Sequence, residues 1–214
     1  MEGLDESSRC EDVESVVRDF YELFEERVLP KLREIPIETN RYLYFLSWLN
    51  KEVEGRGLGK IIITGGFAVE VYTGRIYRTM DVDIVVEGEL THKVLECFLA
   101  RFSEKIGRGY LPRYDVIQLK SLDIVSIVYD KKVPPTKLLV SDYYVYLVPV
   151  EELVITYLAG WKYWKATEDR DKALWLYATW RKKLNSGYLR KRAEEEGVED
   201  YLEELDEYVD SILK

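Results

Sequence analysis

The feature that most constrains this chain is a pair of short β-branched runs, one ending in two glycines and the other beginning with two aspartates. Lys60-Ile61-Ile62-Ile63-Thr64 stops at Gly65-Gly66, and Asp81-Val82-Asp83-Ile84-Val85-Val86 is closed by Gly88. Runs of this length and composition read as strands, the first of them buried. Phe67 to Tyr72 reads as a helix opening directly from the glycine pair. Residues i and i+2 of a strand project on one face, so Asp81 and Asp83 point the same way. Two like charges on an apolar strand repel and resist desolvation. A divalent cation bound by both removes that cost, and magnesium suits oxygen ligands and substrate phosphates. An exposed strand face would carry the same two acids without an ion, so this motif alone is weak.

Around this centre the chain reads as helix, then mixed α/β, then helix. Apolar residues recur with helical spacing from Glu11 to Leu32, and Pro36 ends that stretch. Thr39 is placed to cap a second helix, which the glycines at 55, 57 and 59 terminate. Thr91 to Phe102 is amphipathic. Further strands are expected near 113–119, 122–129 and 143–147, and the pattern is helical from Val150 to the end, with about four helices. The expected class is α+β, a small mixed β-sheet core with N-terminal helices and a C-terminal helical bundle. Its expected segments are 1–57, 58–147 and 148–214.

Charge sharpens the reading. The net charge is −9 over 214 residues, but residues 1–38 carry 12 acids and 5 bases, and 194–214 carry 10 acids and 1 base. The body between them, 39–193, holds 18 acids and 25 bases, so an anionic substrate is not excluded. No uncharged apolar run is long enough to span a membrane. The acidic start has no apolar core of a signal peptide. Two cysteines, Cys10 and Cys97, make no disulfide framework, which points to a reducing cytoplasm. The scarcity of Asn and Gln beside many charged residues is a thermophile bias, and under it a Cys10–Cys97 bridge becomes more plausible.

Two more features bear on chemistry. Gly65-Gly66 lets backbone approach a phosphate, with the amides of the new helix aimed at it, although a glycine pair is more often only a turn. Leu122-Asp123-Ile124-Val125 sets a third acid in an apolar strand. If that strand lies beside 81–86, Asp123 joins the site, holding a second metal or taking a proton from an attacking hydroxyl. The alternative is an acid on the solvent side of an edge strand.

Taken together, Gly65, Gly66, Ala68, Val69, Gly74, Arg78, Thr79, Asp81 and Asp83 occur in an order that resembles the signature of the DNA polymerase β-type nucleotidyltransferase superfamily. The branch it looks most like is that of the AbiEii-like toxin and related uncharacterised nucleotidyltransferases. The resemblance covers roughly 60–172. It implies transfer of a nucleoside monophosphate from an NTP, with pyrophosphate leaving. Asp81, Asp83 and Asp123 would hold two Mg²⁺, Gly65 and Gly66 the β/γ-phosphates, and Arg78 or Arg75 the developing charge, with Thr79 beside them. The acceptor is left open between RNA such as tRNA, protein and a small molecule, and an antitoxin partner is implied in a toxin–antitoxin pair.

One position departs from that pattern. In the helical half, Glu151-Glu152 with its apolar run and Arg170-Asp171-Lys172 are similar to the family, but the family lysine falls on Tyr157. Lys162 or Lys165, on the next turns, is the expected substitute, although Lys162 shares the Tyr157 face poorly. The second function class is therefore a catalytically silent module of the same fold that binds a protein or nucleic acid. Arg181 to Arg192 has six bases and no acids; it could contact a nucleic-acid backbone with Tyr188 stacking on a base, but a charge run is more often a solvated face, here a basic helix pair set against the acidic tail.

Overall fold

The computed structural model describes residues 10–213. The acidic stretch before Cys10, and with it the signal-peptide reading, lies outside the described residues. The class is α+β with a mixed seven-stranded sheet among the described residues. Compactness divides the chain into two units.

The first unit comprises the chain up to Ile63, Met80–Asp130 and Lys137–Leu147. It opens with a 3-10 turn (Glu11–Val13), α1 (Glu14–Leu23), a π-turn (Phe24–Val28) and α2 (Leu29–Glu34), one continuous helical run. The π-turn has a local cause: Pro30 has no N–H to give the carbonyl four residues back, and the ladder widens immediately before it. Next comes α3 (Glu38–Gly55). Its N-cap is Ile37, not the expected Thr39, which is buried in the first turn.

The strands are β1 (Lys60–Ile63), β2 (Asp81–Glu87), β3 (Ser103–Ile106), β4 (Gly109–Pro112), β5 (Ser121–Ser126), β6 (Thr136–Val140) and β7 (Tyr143–Leu147). Helix α5 (Glu89–Phe102) joins β2 to β3. Their order is β3-β4-β5-β2-β1-β7-β6. β1 pairs antiparallel with β2 and parallel with β7, and β2 pairs parallel with β5. The strand expected near 113–119 is instead a loop with a 3-10 turn at Asp115–Ile117, while the β3–β4 hairpin was not foreseen.

This unit is held by an aromatic core. Phe20, Phe24, Phe45, Trp48, Phe98 and Phe102 lie in mutual edge or stacked contact and are nearly solvent-free. Rings of this size dominate burial, and their pair geometry adds about 0.5–1.5 kcal/mol each. Asn50, fully buried on α3, accepts from the amide of Ile61 at 2.8 Å and donates to the carbonyl of Tyr144 at 3.2 Å, which fixes β1 and β7 to the helix. Cys10 and Cys97 are joined in a disulfide, the bridge that the thermophile bias makes more plausible.

The second unit comprises Thr64–Thr79, Lys131–Thr136 and the chain from Val148 on. Its helices are α4 (Gly65–Tyr72), α6 (Val150–Trp164), α7 (Thr167–Trp180), α8 (Ser186–Glu196) and α9 (Glu199–Leu213). The grouping thus differs from the expected segments 1–57, 58–147 and 148–214: the N-terminal helices share a core with the sheet, and 64–79 packs with the C-terminal helices. Glu152, 1% exposed, receives Arg192 Nε at 3.0 Å and the hydroxyl of Tyr188, tying α6 to α8. No helix among the described residues is long and apolar enough to cross a membrane.

Candidate functional site

The three predicted aspartates lie on the sheet of the first unit. β2 alternates, with Val82, Ile84 and Val86 buried and Asp81 and Asp83 half-buried on the opposite side. In the parallel register of β2 with β5, Asp83 stands opposite Asp123 and Asp81 opposite Ser121. Directly paired residues share a face, so Asp81, Asp83 and Asp123 rise from one side of the sheet. The edge-strand alternative for Asp123 is excluded, because β5 lies between β4 and β2.

Asp123 is placed by neighbours on both sides of β5. Tyr42 on α3, fully buried, donates to the carbonyls of Ile117 and Lys120 at 2.5 and 3.0 Å and accepts from the Lys120 amide at 2.8 Å. Burial pushes the Tyr42 hydroxyl well above the usual phenol range, which keeps it a donor. This clamp fixes the loop that enters β5, and the Ser121 amide bonds the Met80 carbonyl at 3.2 Å to align the starts of β5 and β2. On the other side, a Cβ at Gly109 of β4 would stand 2.0 Å from Asp123 Oδ1. Only glycine leaves room there for the carboxylate.

One oxygen of that carboxylate stands out. Asp123 Oδ1 is buried and has no hydrogen-bond partner. Buried polar atoms are nearly always satisfied, and an orphaned carboxylate oxygen is costly. The face, the register and this orphaned atom suit a hard cation with oxygen ligands. The side chains as they stand are not drawn together: among the described residues no three His, Cys, Asp or Glu side chains are grouped closely enough to hold an ion. The fit therefore lies in the strand register and donor type.

The glycine–arginine half of the motif lies in the second unit and is organised by a residue the sequence reading passed over. Glu70, at the centre of α4, has a fully buried side chain. Its Oε2 accepts from the Thr79 amide at 3.1 Å, and its Oε1 stands 3.4 Å from Arg78 Nε. Its own carbonyl accepts from the amide of Arg75, which adopts a left-handed backbone at φ 73°. Gly65 begins α4 at φ 59°, and a Cβ on Gly66 would meet Thr79 Oγ1 at 2.9 Å. Arg78 and Thr79 are thus set by Glu70 and Gly66, while Arg75 projects into solvent. The available signal for Glu70 was one acid inside the otherwise apolar run Phe67–Tyr72.

The predicted lysines are engaged elsewhere. Lys162 Nζ bonds the Gly197 carbonyl at 2.8 Å and Asp200 at 2.6 Å, and that carboxylate raises the ammonium's pKa. Lys165 donates to the Tyr201 hydroxyl. The cation that does stand beside Tyr157 is Lys172 of α7, 5.2 Å from the Tyr157 ring centre and 5.7 Å from that of Tyr77. It also pairs with Glu168 at 2.9 Å. In the six-base stretch, Arg181 is held by Asp206 and Asp210 of α9, and Arg192 is buried against Glu152. Tyr188, bonded to Glu152, is not a free stacking ring.

No family model matches this chain, and no curated protein does. Among solved structures it is similar to an antigenic nucleotidyltransferase-like protein from Paracoccidioides brasiliensis, at 20% identity over 62% of this chain and 73% of that one, with a TM-score of 0.48. It is also similar to ANT(2")-Ia in complex with adenylyl-2"-tobramycin, at 15% identity, 72% and 96% coverage and a TM-score of 0.47. A solution structure of the antibiotic-resistance factor ANT(2'')-Ia matches at 18% identity, 73% and 91% coverage and a TM-score of 0.43. At these values the chemistry assigned below rests on this chain's own residues.

Proposed function

We propose that this chain is a Mg²⁺-dependent nucleotidyltransferase that moves a nucleoside monophosphate from an NTP to an acceptor hydroxyl. The observation that carries the reading is the buried, unpartnered Oδ1 of Asp123 on a strand whose register sets Asp123 opposite Asp83. Asp81 and Asp83 would hold the cation, with Asp123 completing the set. When bound, the cation supplies charge neutralisation on the triphosphate. Asp123, the acid opposite Asp83 on the neighbouring strand, is assigned the proton of the acceptor hydroxyl. The amides at Gly65 and Gly66 are assigned to phosphate oxygens, and Arg78, with Thr79 beside it, to the charge that develops on transfer. Lys172 replaces Lys162 as the candidate cation near Tyr157.

The acceptor class follows only from the resemblance: RNA such as tRNA, a protein or a small molecule, with an antitoxin as partner in the toxin–antitoxin setting. The exposure of Lys182, Lys183, Arg190 and Lys191 supports an anionic partner. The test is incubation of the purified protein with Mg²⁺ or Mn²⁺, labelled NTPs and separate RNA and protein fractions. Label should transfer, and Asp81→Asn or Asp83→Asn should abolish it; survival of labelling in both variants would sink the assignment.

A catalytically silent module is the second reading. It is favoured by Tyr157 at the family's lysine position and by the engagement of Lys162 with Asp200. Calorimetry of Mg²⁺-dependent NTP binding separates the two, since a silent module of this kind binds its partner without nucleotide.

A further inference from the structure

A second place in the molecule holds a buried polar atom without a partner. In the first unit a cavity of about 160 Å³ is walled by the Cys10–Cys97 disulfide and lined by Glu96, Ser103, Lys105 and Tyr110. Ser103 is only 8% exposed, and its Oγ is buried without a hydrogen-bond partner. Lys105 pairs with no carboxylate among the described residues; its ammonium lies 5.6 Å from the Tyr110 ring centre. Glu96 accepts from the Tyr110 hydroxyl at 3.3 Å and keeps a carboxylate at the wall. The cavity therefore offers one cation, one anion, one unused hydroxyl and a disulfide.

Size and charge narrow what it takes. A cavity of about 150 Å³ holds a benzene-sized molecule, so this one has room for a single amino acid. Lys105 and Ser103 match a carboxylate, and Glu96 matches an ammonium. We propose that this cavity is a modification site, in which a low-molecular-weight zwitterionic thiol of the cysteine type forms a mixed disulfide with Cys97.

The step is a thiol–disulfide exchange. The ligand loses its thiol proton to solvent, and its thiolate forms a bond to Cys97 Sγ. The Cys97–Cys10 bond breaks, the electron pair stays on Cys10 Sγ, and that sulfur takes a proton from water. One disulfide replaces another, with no net oxidation. Burial selects the direction: Cys97 is 7% exposed and Cys10 more so, so the departing thiolate is less costly on Cys10. The outcome releases the 3-10 turn at Glu11–Val13 from its covalent tie to α5.

The folded protein is incubated separately with cysteine, cysteamine, 3-mercaptopropionate and 2-mercaptoethanol, and adducts are located by peptide mass mapping. Cysteine should react fastest after allowance for thiolate reactivity, with its adduct on Cys97. Lys105→Ala and Glu96→Gln should each slow cysteine about tenfold, the size of one charged contact, and leave 2-mercaptoethanol unchanged. An adduct on Cys10, no adduct on the folded protein, or a cysteine preference untouched by both variants would overturn the proposal. Lys105 is exposed, so its variant tests recognition without disturbing the fold.

Discussion

Two carboxylates with buried oxygens, one in each unit, are treated in opposite ways. Glu152 is 1% exposed and receives Arg192 through both of its oxygens, with Tyr188 added. Asp123 keeps one buried oxygen with no donor at all, although Lys120 lies only a few residues before it, in the loop that Tyr42 clamps. A fully satisfied buried acid fastens helices together. An unsatisfied one is retained at a cost to stability, and the usual reason is a ligand or a reaction. On the proposed function, the difference separates architecture from chemistry within one chain.

The comparison is broken most directly at the aspartates. Asp83→Asn should lower nucleotide transfer by at least about 10³-fold, worth about 4 kcal/mol of transition-state stabilisation, with a thermal midpoint unchanged or raised. A fall in the midpoint instead, measured by calorimetry, would make Asp83 structural. Asp123→Asn should behave alike. An effect of similar size is expected at the disulfide, which closes a loop with a sequence separation of 87. On the chain-entropy account its loss in Cys97→Ser costs about 4–5 kcal/mol, readable in a denaturant titration. Glu152→Ala should cost about 3–5 kcal/mol because Arg192 is left buried without its partner. If Glu152→Ala kept full stability, the contrast with Asp123 would lose its meaning.

Smaller effects sharpen the same contrast. Gly109→Ala places a methyl where Asp123 Oδ1 now lies, and should reduce activity more than it reduces stability. The smallest is a pH effect in the second unit. Lys132 and Arg192 hold the Glu195 carboxyl down at about 2, against an ordinary 4.5. A depressed carboxylate stabilises the fold above its ordinary value and loses that contribution as pH falls. The α8 contacts should therefore loosen between pH 4.5 and 2, and Lys132→Ala should shift the onset upward in a circular-dichroism titration.

Much of the fold was legible because the relevant signals are local. The β-branched runs at 60–64 and 81–86, the glycine pair that opens α4 and the four C-terminal helices all depend on neighbours in sequence. The misreadings share another cause. Arg113 to Leu119 carries strand-like residues, yet its backbone is spent on Tyr42 and Arg41, some 75 positions away. The β3–β4 hairpin is short, with β3 mostly exposed and β4 bounded by Gly109 and Pro112, which hides its pattern. Lys162 looked free because its partner, Asp200, lies 38 residues downstream. For the site, two aspartates on one face followed from strand geometry alone. The burial of Asp123 and the role of Glu70 did not, because both depend on groups brought near by the tertiary fold.

The disulfide also changes what a cut in the backbone would do. The peptide from Cys10 to Cys97 is a covalent ring, with Asp81 and Asp83 inside it and Asp123 outside. One protease nick at the left-handed turn of Gly74 and Arg75 would leave the two pieces joined as a single species. Such a nick would be invisible on a non-reducing gel and would separate the chain only after thiol treatment. The loop that carries Arg78 and Thr79 can therefore be opened without the loss of any part of the molecule.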